Sequence, residues 1–390
     1  MRPSIESEPA STFGTLPSPL LVYDWALIQK ALQLFRGITD AVDGTLLYSI
    51  KAQPFSGLLT PMMPWVGGFA VSSLFEARLV HSCLPFPGEI HLTSPGIREE
   101  EIKALATLCS HINFNSLGQF ERLESKIQGS PQMGLRINHG VSSIRDDRYN
   151  PCREASKLGV PLEELKGFAR MQPEKFKRLK GLHFHSHFLE GDTKPLQAAL
   201  GFIQSELGHL LEHLEWINLG GGYAPQNEAG ANRFKAVLSA FKNVFHGKVI
   251  LEPGNAIVGE SGSLQAHVID VFKRDGTTIA VLDTGVHHLP EVFEYQKAPI
   301  VKEANPEGPF SAVLAGDTCL AGDLFGTYRF MEPLTLGQPI TFEKVGAYSL
   351  VKANRFNGHD FPGLALRDSR GHIEVLKQFG FKDYIAQWSP

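Results

Sequence analysis

From residue 45 to residue 254 the chain alternates between short apolar runs and stretches with helical spacing. Eight runs stand out: Leu46–Lys51, Gly68–Ser72, Ile90–Ser94, Ile112–Asn115, Gly134–Asn138, Gly181–His185, Trp216–Gly220 and Lys248–Glu252. Each is too short for a core helix and reads as a buried strand. Between them, apolar residues recur three and four apart in Leu74–Leu84, Glu99–Cys109, Leu117–Ile127, Leu162–Met171, Pro195–Leu214 and Arg233–Phe245, often behind a Ser, Thr or Pro. Eight strands alternating with helices predict an α/β fold, a (β/α)8 barrel.

After Gly254 the rhythm changes. Leu264–Lys273, Thr278–Asp283, Phe310–Leu314, Gln338–Lys344 and Glu374–Leu376 read as strands joined by turns such as Arg274-Asp275-Gly276. A second, mostly β domain is expected, and a strand around Leu20–Val22 can join it ahead of a first helix, Trp25–Phe35. The expected divisions are a flexible N-terminus over 1–18, a strand and helix over 19–40, the barrel over 41–255 and the β domain over 256–390.

A length of 390 residues exceeds what one hydrophobic core usually organises, which agrees with two domains. The net charge of -4 and the scattered basic residues, densest at Lys175 to Lys180, argue against a nucleic-acid or membrane surface. Cys83, Cys109, Cys152 and Cys319 lie far apart without a CxxC pair, which fits a reducing compartment and disfavours both a disulfide framework and a zinc site. Met1 to Pro19 lacks an apolar signal core, and no window approaches the roughly 20 apolar residues of a membrane span. A cytoplasmic location is expected.

The ends of the predicted strands carry the candidate chemistry, because catalytic groups of such barrels sit at the carboxyl face. Lys51 closes an apolar strand, where desolvation would lower its pKa and leave a neutral amine suited to a Schiff base, or it is a lysine that snorkels to solvent at a strand end. Gly220-Gly221-Gly222 lets the backbone approach a phosphate without Cβ interference, although a tight barrel turn would use the same residues. It lacks the spacing of a dinucleotide fingerprint. Glu252, before Pro253-Gly254, can hydrogen-bond a protonated pyridine nitrogen, or is a helix-cap or salt-bridge glutamate.

His183, His185 and His187 alternate, but along a strand their rings are spread by roughly 7 Å per step, so one ring stacked on a cofactor is favoured over a metal site, with a packed core histidine as the alternative. Cys319, in Gly316–Asp323, offers a thiol able to protonate a carbanion, or is a structural cysteine. Tyr348 offers a hydroxyl to a phosphate, or packs in the core.

These motifs resemble the fold-type III pyridoxal-phosphate decarboxylases, whose barrel is similar to that of alanine racemase. The group holds eukaryotic ornithine, diaminopimelate and carboxynorspermidine decarboxylases. Tyr48-Ser49-Ile50-Lys51-Ala52 is similar to the segment of the cofactor lysine, Phe184-His185 to that of the stacking histidine, and Gly220-Gly221-Gly222 to the phosphate loop. Glu252-Pro253-Gly254 resembles the pyridine-nitrogen partner, Cys319 to Asp323 the loop given by a second subunit, and Tyr348 a phosphate ligand.

Val71–Leu79, Tyr149–Cys152, His288-Leu289-Pro290-Glu291 and Phe356-Asn357-Gly358 follow the carboxynorspermidine pattern most nearly. Two departures stand out: Asn255 replaces a glutamate implicated in amine binding, and Ala70 replaces an acidic residue.

The resemblance implies a homodimer that binds pyridoxal 5'-phosphate and decarboxylates a carboxylated polyamine or basic amino acid. Lys51 would hold the cofactor, Cys319 from the neighbouring subunit would supply a proton, and Asn255, Glu291 and Asp323 would meet the substrate. No metal is expected. Diaminopimelate, ornithine or lysine decarboxylation and amino-acid racemisation stay open as alternatives. So do a regulatory protein without turnover and a metal-dependent barrel.

Overall fold

The computed structural model describes residues 16–142, 144, 146–187 and 191–389, so most of the N-terminus expected to be flexible lies outside the described residues. Two compact units emerge, Gln29–Ile257 and Val258–Pro390, the latter together with the N-terminal segment up to Ile28.

In the first unit, eight parallel strands close into a barrel. They are β2 (Thr45–Ser49), β3 (Gly68–Val71), β4 (Glu89–Thr93), β5 (His111–Phe114), β6 (Gln132–Asn138), β8 (Gly181–His183), β9 (Trp216–Asn218) and β10 (Lys248–Leu251). β1 (Leu20–Asp24) belongs to the other unit, and β7 (Val160–Pro161) is a short addition beside β6. Pairing runs in chain order from β2 to β6, then to β8, β9 and β10, and β10 returns to β2 through Ile250↔Thr45. β2 and β3 are buried along their whole length, as expected of parallel strands covered by helices.

Size complementarity fills the barrel. Trp216 packs with Leu47, Ala70 and Ile250. Glycines on two neighbouring strands make room for it: a Cβ on Gly181 would fall 2.0 Å from the indole, and one on Gly134 2.3 Å. Helices begin just beyond the strands on side-chain caps. Ser73 accepts from Glu76 N–H ahead of Leu74–Cys83, Ser116 from Gln119 N–H ahead of Leu117–Leu123, and Asn227 from Gly230 N–H ahead of Glu228–Lys242.

The second unit is built on a nine-stranded sheet. Its strands are β1, β11 (Gly262–Arg274), β12 (Thr277–Leu282), β13 (Ile300–Val301), β14 (Phe310–Ala315), β15 (Leu324–Phe330), β16 (Pro339–Glu343), β17 (Gly363–Arg367) and β18 (Ile373–Lys377). β1 lies inside this sheet, antiparallel to β11 and parallel to β17, with Leu20 and Val22 packed on Ala365. β15 and β17 were not among the strands read from the sequence. Gly326 interrupts the first, and Pro362-Gly363 at the start of the second reads as a turn; sheet pairing overrides both. Among the described residues, no helix is long and apolar enough to cross a membrane.

Candidate active site

Seven of the eight barrel strands stop one or two residues short of the sequence reading, β6 alone ending at the expected Asn138, which moves most of the chemistry from strand ends into the loops behind them. Lys51 sits on a 3-10 turn, Ile50–Ala52, where the sequence suggested a strand end. The strand Gly181–His183 ends before its histidine alternation is complete, so His185 and His187 are loop residues. Backbone stretches freed from the sheet can turn their side chains inward, and here they do. Lys51, His183, His185, His187 and Glu252 line one cavity of about 510 Å³ together with Ser72, Arg136 and Tyr149.

The Lys51 side chain keeps solvent access and lines that cavity, although protein packed around its amine desolvates it. Burial lowers its pKa and Arg136 adds to the effect, while Glu252 and Glu76 oppose it. Glu252 responds differently to the same burial. Desolvation would raise its pKa, but Nε2 of His183 at 3.2 Å and Nδ2 of Asn218 at 2.6 Å bond its two oxygens and hold it down at about 2. Burial keeps His183 neutral, so its Nε2–H donates to the carboxylate. The result is an anion fixed in place beside an amine that favours neutrality.

The glycine run is tied into this network. Gly220 N–H donates to Asn218 Oδ1 at 2.9 Å, Gly221 N–H donates to His185 Nδ1 at 3.2 Å, and Gly220 C=O accepts from Glu252 N–H at 2.8 Å. Gly220 and Gly222 have φ of 66° and 92°, and a Cβ on Gly222 would meet His187 C=O at 2.0 Å. Two of the three N–H groups are therefore spent on positioning, and close backbone approach is what demands glycine. The bond from Gly221 leaves Nδ1 of His185 as acceptor, and burial keeps that ring neutral. Asn255 starts the short helix Asn255–Val258 and is half-buried.

Arg136, which lines the cavity, and Glu76 and Asn218, which bond to its lining residues, were not singled out in the sequence reading. Arg136, in mid-strand β6, is only 9% exposed, and burial pulls its guanidinium down to about 10. Glu76 accepts from Ser72 N–H at 2.6 Å, and burial raises its pKa. Asn218 orients Glu252 together with His183, which the sequence reading noted only as part of the histidine alternation. Arg136 was detectable as a charge inside an apolar strand run; Glu76 and Asn218 carry no distinguishing local signal.

The remaining candidates belong to the β unit. Cys319 is exposed, and its N–H donates to Asn357 Oδ1 at 3.0 Å. Asp323 is 2% exposed, with Oδ1 accepting from Val286 N–H at 2.7 Å and Oδ2 from Thr318 N–H at 3.1 Å. Both oxygens thus brace the loop that carries Cys319. Glu291 opens the helix Pro290–Tyr295 and meets Lys352 Nζ at 3.4 Å. Burial raises the pKa of Glu291, and Lys352 counters it. Tyr348 has a φ of 60°, a left-handed conformation costly for a side chain this large. Burial and the charge of Glu291 push its hydroxyl up to about 12.

Comparison with known proteins fits this geometry. A family profile described as "Pyridoxal-dependent decarboxylase, pyridoxal binding domain" matches residues 26–259. Carboxyaminopropylagmatine decarboxylase of Synechocystis sp. is 34% identical, with 95% of each chain covered. Carboxynorspermidine/carboxyspermidine decarboxylase of Campylobacter jejuni is 30% identical over 95% of this chain and 98% of that one.

The crystal structure of carboxynorspermidine decarboxylase from Campylobacter jejuni, complexed with norspermidine, superposes with a TM-score of 0.86 at 29% identity, covering 95% of this chain and 100% of that one. Diaminopimelate decarboxylase from Helicobacter pylori shares the fold, with a TM-score of 0.81 at 20% identity, over 93% of this chain and 94% of that one. The chain therefore belongs to the pyridoxal-dependent decarboxylases and is an enzyme of that family.

Proposed function

We propose that the chain uses pyridoxal 5'-phosphate to remove the α-carboxylate of a carboxylated polyamine, giving carbon dioxide and an amine. The observation that carries this reading is a desolvated lysine amine and a buried, ionised glutamate lining one cavity. The donor set fits the cofactor. A neutral amine is the form that attacks an aldehyde, and a fixed carboxylate favours a protonated pyridine nitrogen. Gly220–Gly222 is assigned to the phosphate on its resemblance to the phosphate loop of the family. Bound there, the cofactor supplies an electron-accepting ring for the pair released when the carboxylate departs.

Lys51 is assigned to holding the cofactor and Glu252 to keeping its ring nitrogen protonated. His185, locked by Gly221, is assigned to the ring face. Arg136 offers a buried guanidinium to an anionic group. Tyr348 keeps its proton at neutral pH and can donate to the phosphate. Cys319 is assigned to delivering a proton to the α-carbon, supplied by a second copy in a homodimer. The expected cytoplasmic location accompanies this reading, supported by four cysteines without a disulfide.

The substrate class rests on the relatives, two of which are named for carboxylated polyamines. Glu291 is proposed to attract a distal ammonium, a position that Lys352 now partly fills. Asn255 is proposed as a neutral contact to the same chain of the substrate. For Asp323, internal bonding supports a different use from the substrate contact expected: holding the Cys319 loop in place.

The test is mass spectrometry of the cofactor-loaded enzyme with carboxyaminopropylagmatine, carboxynorspermidine, carboxyspermidine, ornithine, lysine and meso-diaminopimelate. Carbon dioxide should come from a carboxylated polyamine. Turnover of diaminopimelate, ornithine or lysine alone, or racemisation without gas, would overturn the proposal.

A further inference from the structure

The β unit holds a cluster of titratable side chains that the proposed reaction does not use. His287 follows β12, Asp317 and Asp323 flank the loop between β14 and β15, and His359 lies just beyond Phe356–Gly358. One ligand atom each from His287, Asp317 and Asp323 lies within 4.8 Å of the other two. His359 Nδ1 stands 3.1 Å from Asp317 Oδ2, and its ring is 5.6 Å from that of His287.

His287 is only 6% exposed, yet neither of its ring nitrogens has a partner among the described residues, and Asp317 Oδ1 also lacks one. Buried polar atoms are seldom left so, and several orphans facing one another point to a missing ligand. Glycines keep the space around Asp323 clear: a Cβ on Gly316 would fall 2.3 Å from its carboxylate, and one on Gly285 2.6 Å. Asp323 Oδ1 accepts only from Val286 N–H and keeps a lone pair for a ligand, whereas Oδ2 accepts from both the N–H and the hydroxyl of Thr318.

We infer that His287, Asp317 and Asp323 form a site for one divalent transition metal, with His359 orienting Asp317. Mixed imidazole and carboxylate ligands suit zinc, cobalt or nickel, and a histidine behind a ligating carboxylate is the usual kind of outer support. An ion can enter through a cavity of about 360 Å³ lined by His287, Thr318 and Asn354. The ion would clamp the Gly316–Asp323 loop to the segment after β12. Cysteine spacing could not reveal such a site, because its ligands come from histidines and aspartates in separate loops. The inference does not depend on the decarboxylation reading.

A second cluster, Glu89, His91 and His111, is equally compact but has the wrong geometry. Its imidazoles stack 3.7 Å apart at 18°, so their in-plane lone pairs cannot converge on one ion. It serves as the control.

The full-length enzyme, stripped with chelator and dialysed against zinc, should retain one equivalent by elemental analysis, and cobalt should give visible d–d absorption. His287→Asn and Asp317→Asn should lose that equivalent, whereas His91→Asn should keep it. His359→Gln, at a partly exposed position, should weaken binding by about 10–100-fold in a zinc titration. Thermal melts identify any variant that fails to fold, in which case His359→Gln decides. Absence of stoichiometric uptake by the parent enzyme overturns the site, as does uptake unchanged in the folded His287, Asp317 or His359 variants.

Discussion

Desolvation acts on both Lys51 and Glu252, although Lys51 keeps solvent access and Glu252 is buried, and their neighbours decide the opposite outcomes. Two donors bond Glu252 and keep its charge, whereas the cations and anions around Lys51 leave burial as its largest influence. Borohydride treatment of the cofactor-loaded enzyme should fix the cofactor to the peptide carrying Lys51; a label on any other peptide would contradict the assignment. Glu252→Gln keeps the shape and loses the charge, and kcat should fall by about 10²–10³-fold while cofactor is retained. Undiminished turnover would remove Glu252 from its role. The pH sign is also fixed. A carboxyl lowered from 4.5 to about 2 contributes stability that is fully present above 4.5 and is lost as pH falls towards 2.

At the scale of elements, the barrel's two ends divide the work. Loops behind the strands carry the cavity, and the glycine run joins them by close contact. Gly222→Ala would place a methyl against His187 C=O at a φ of 92°, so cofactor affinity and stability should both fall, the latter by about 2–3 kcal/mol. A melting curve with a cofactor titration checks both; normal cofactor affinity would separate the loop from the site.

The opposite rim is a polar layer in which His91 stacks on His111 and Glu89 bonds His91. Burial lowers His111 to about 3, so His111 adds stability that is lost as pH falls from 6.5 towards 3. His111→Phe should make the decline of melting temperature across that window shallower; an unchanged slope would show that the stack does not govern acid sensitivity.

For the whole molecule, the candidate residues divide between two units, Lys51, His185 and Glu252 in one, Cys319 and Tyr348 in the other. A proton donor supplied by a second copy makes a distinctive prediction. Lys51→Ala and Cys319→Ala should each be inactive. When the two proteins are dissociated and reassociated together they should recover up to about a quarter of parental activity, because half the random dimers have one intact site of two. No recovery from a mixture shown to contain mixed dimers would place the donor within a single chain.

Barrel strands and their order were legible in the sequence because parallel strands buried on both faces leave continuous apolar runs, as in Leu46-Leu47-Tyr48 and Val249-Ile250-Leu251. Lys51, the glycine run and Glu252 were legible because each breaks the pattern of its surroundings at a run's end. The sequence could not say that the strands stop early, since that depends on which backbone groups find partners in the closed sheet. Nor could it reveal Asn218 and His183 as the donors that hold Glu252, or Asp323 as a brace for its own loop. Local composition records whether a segment is to be buried; folding alone determines which charges and donors then stand within a few ångströms, and that proximity sets their protonation and use.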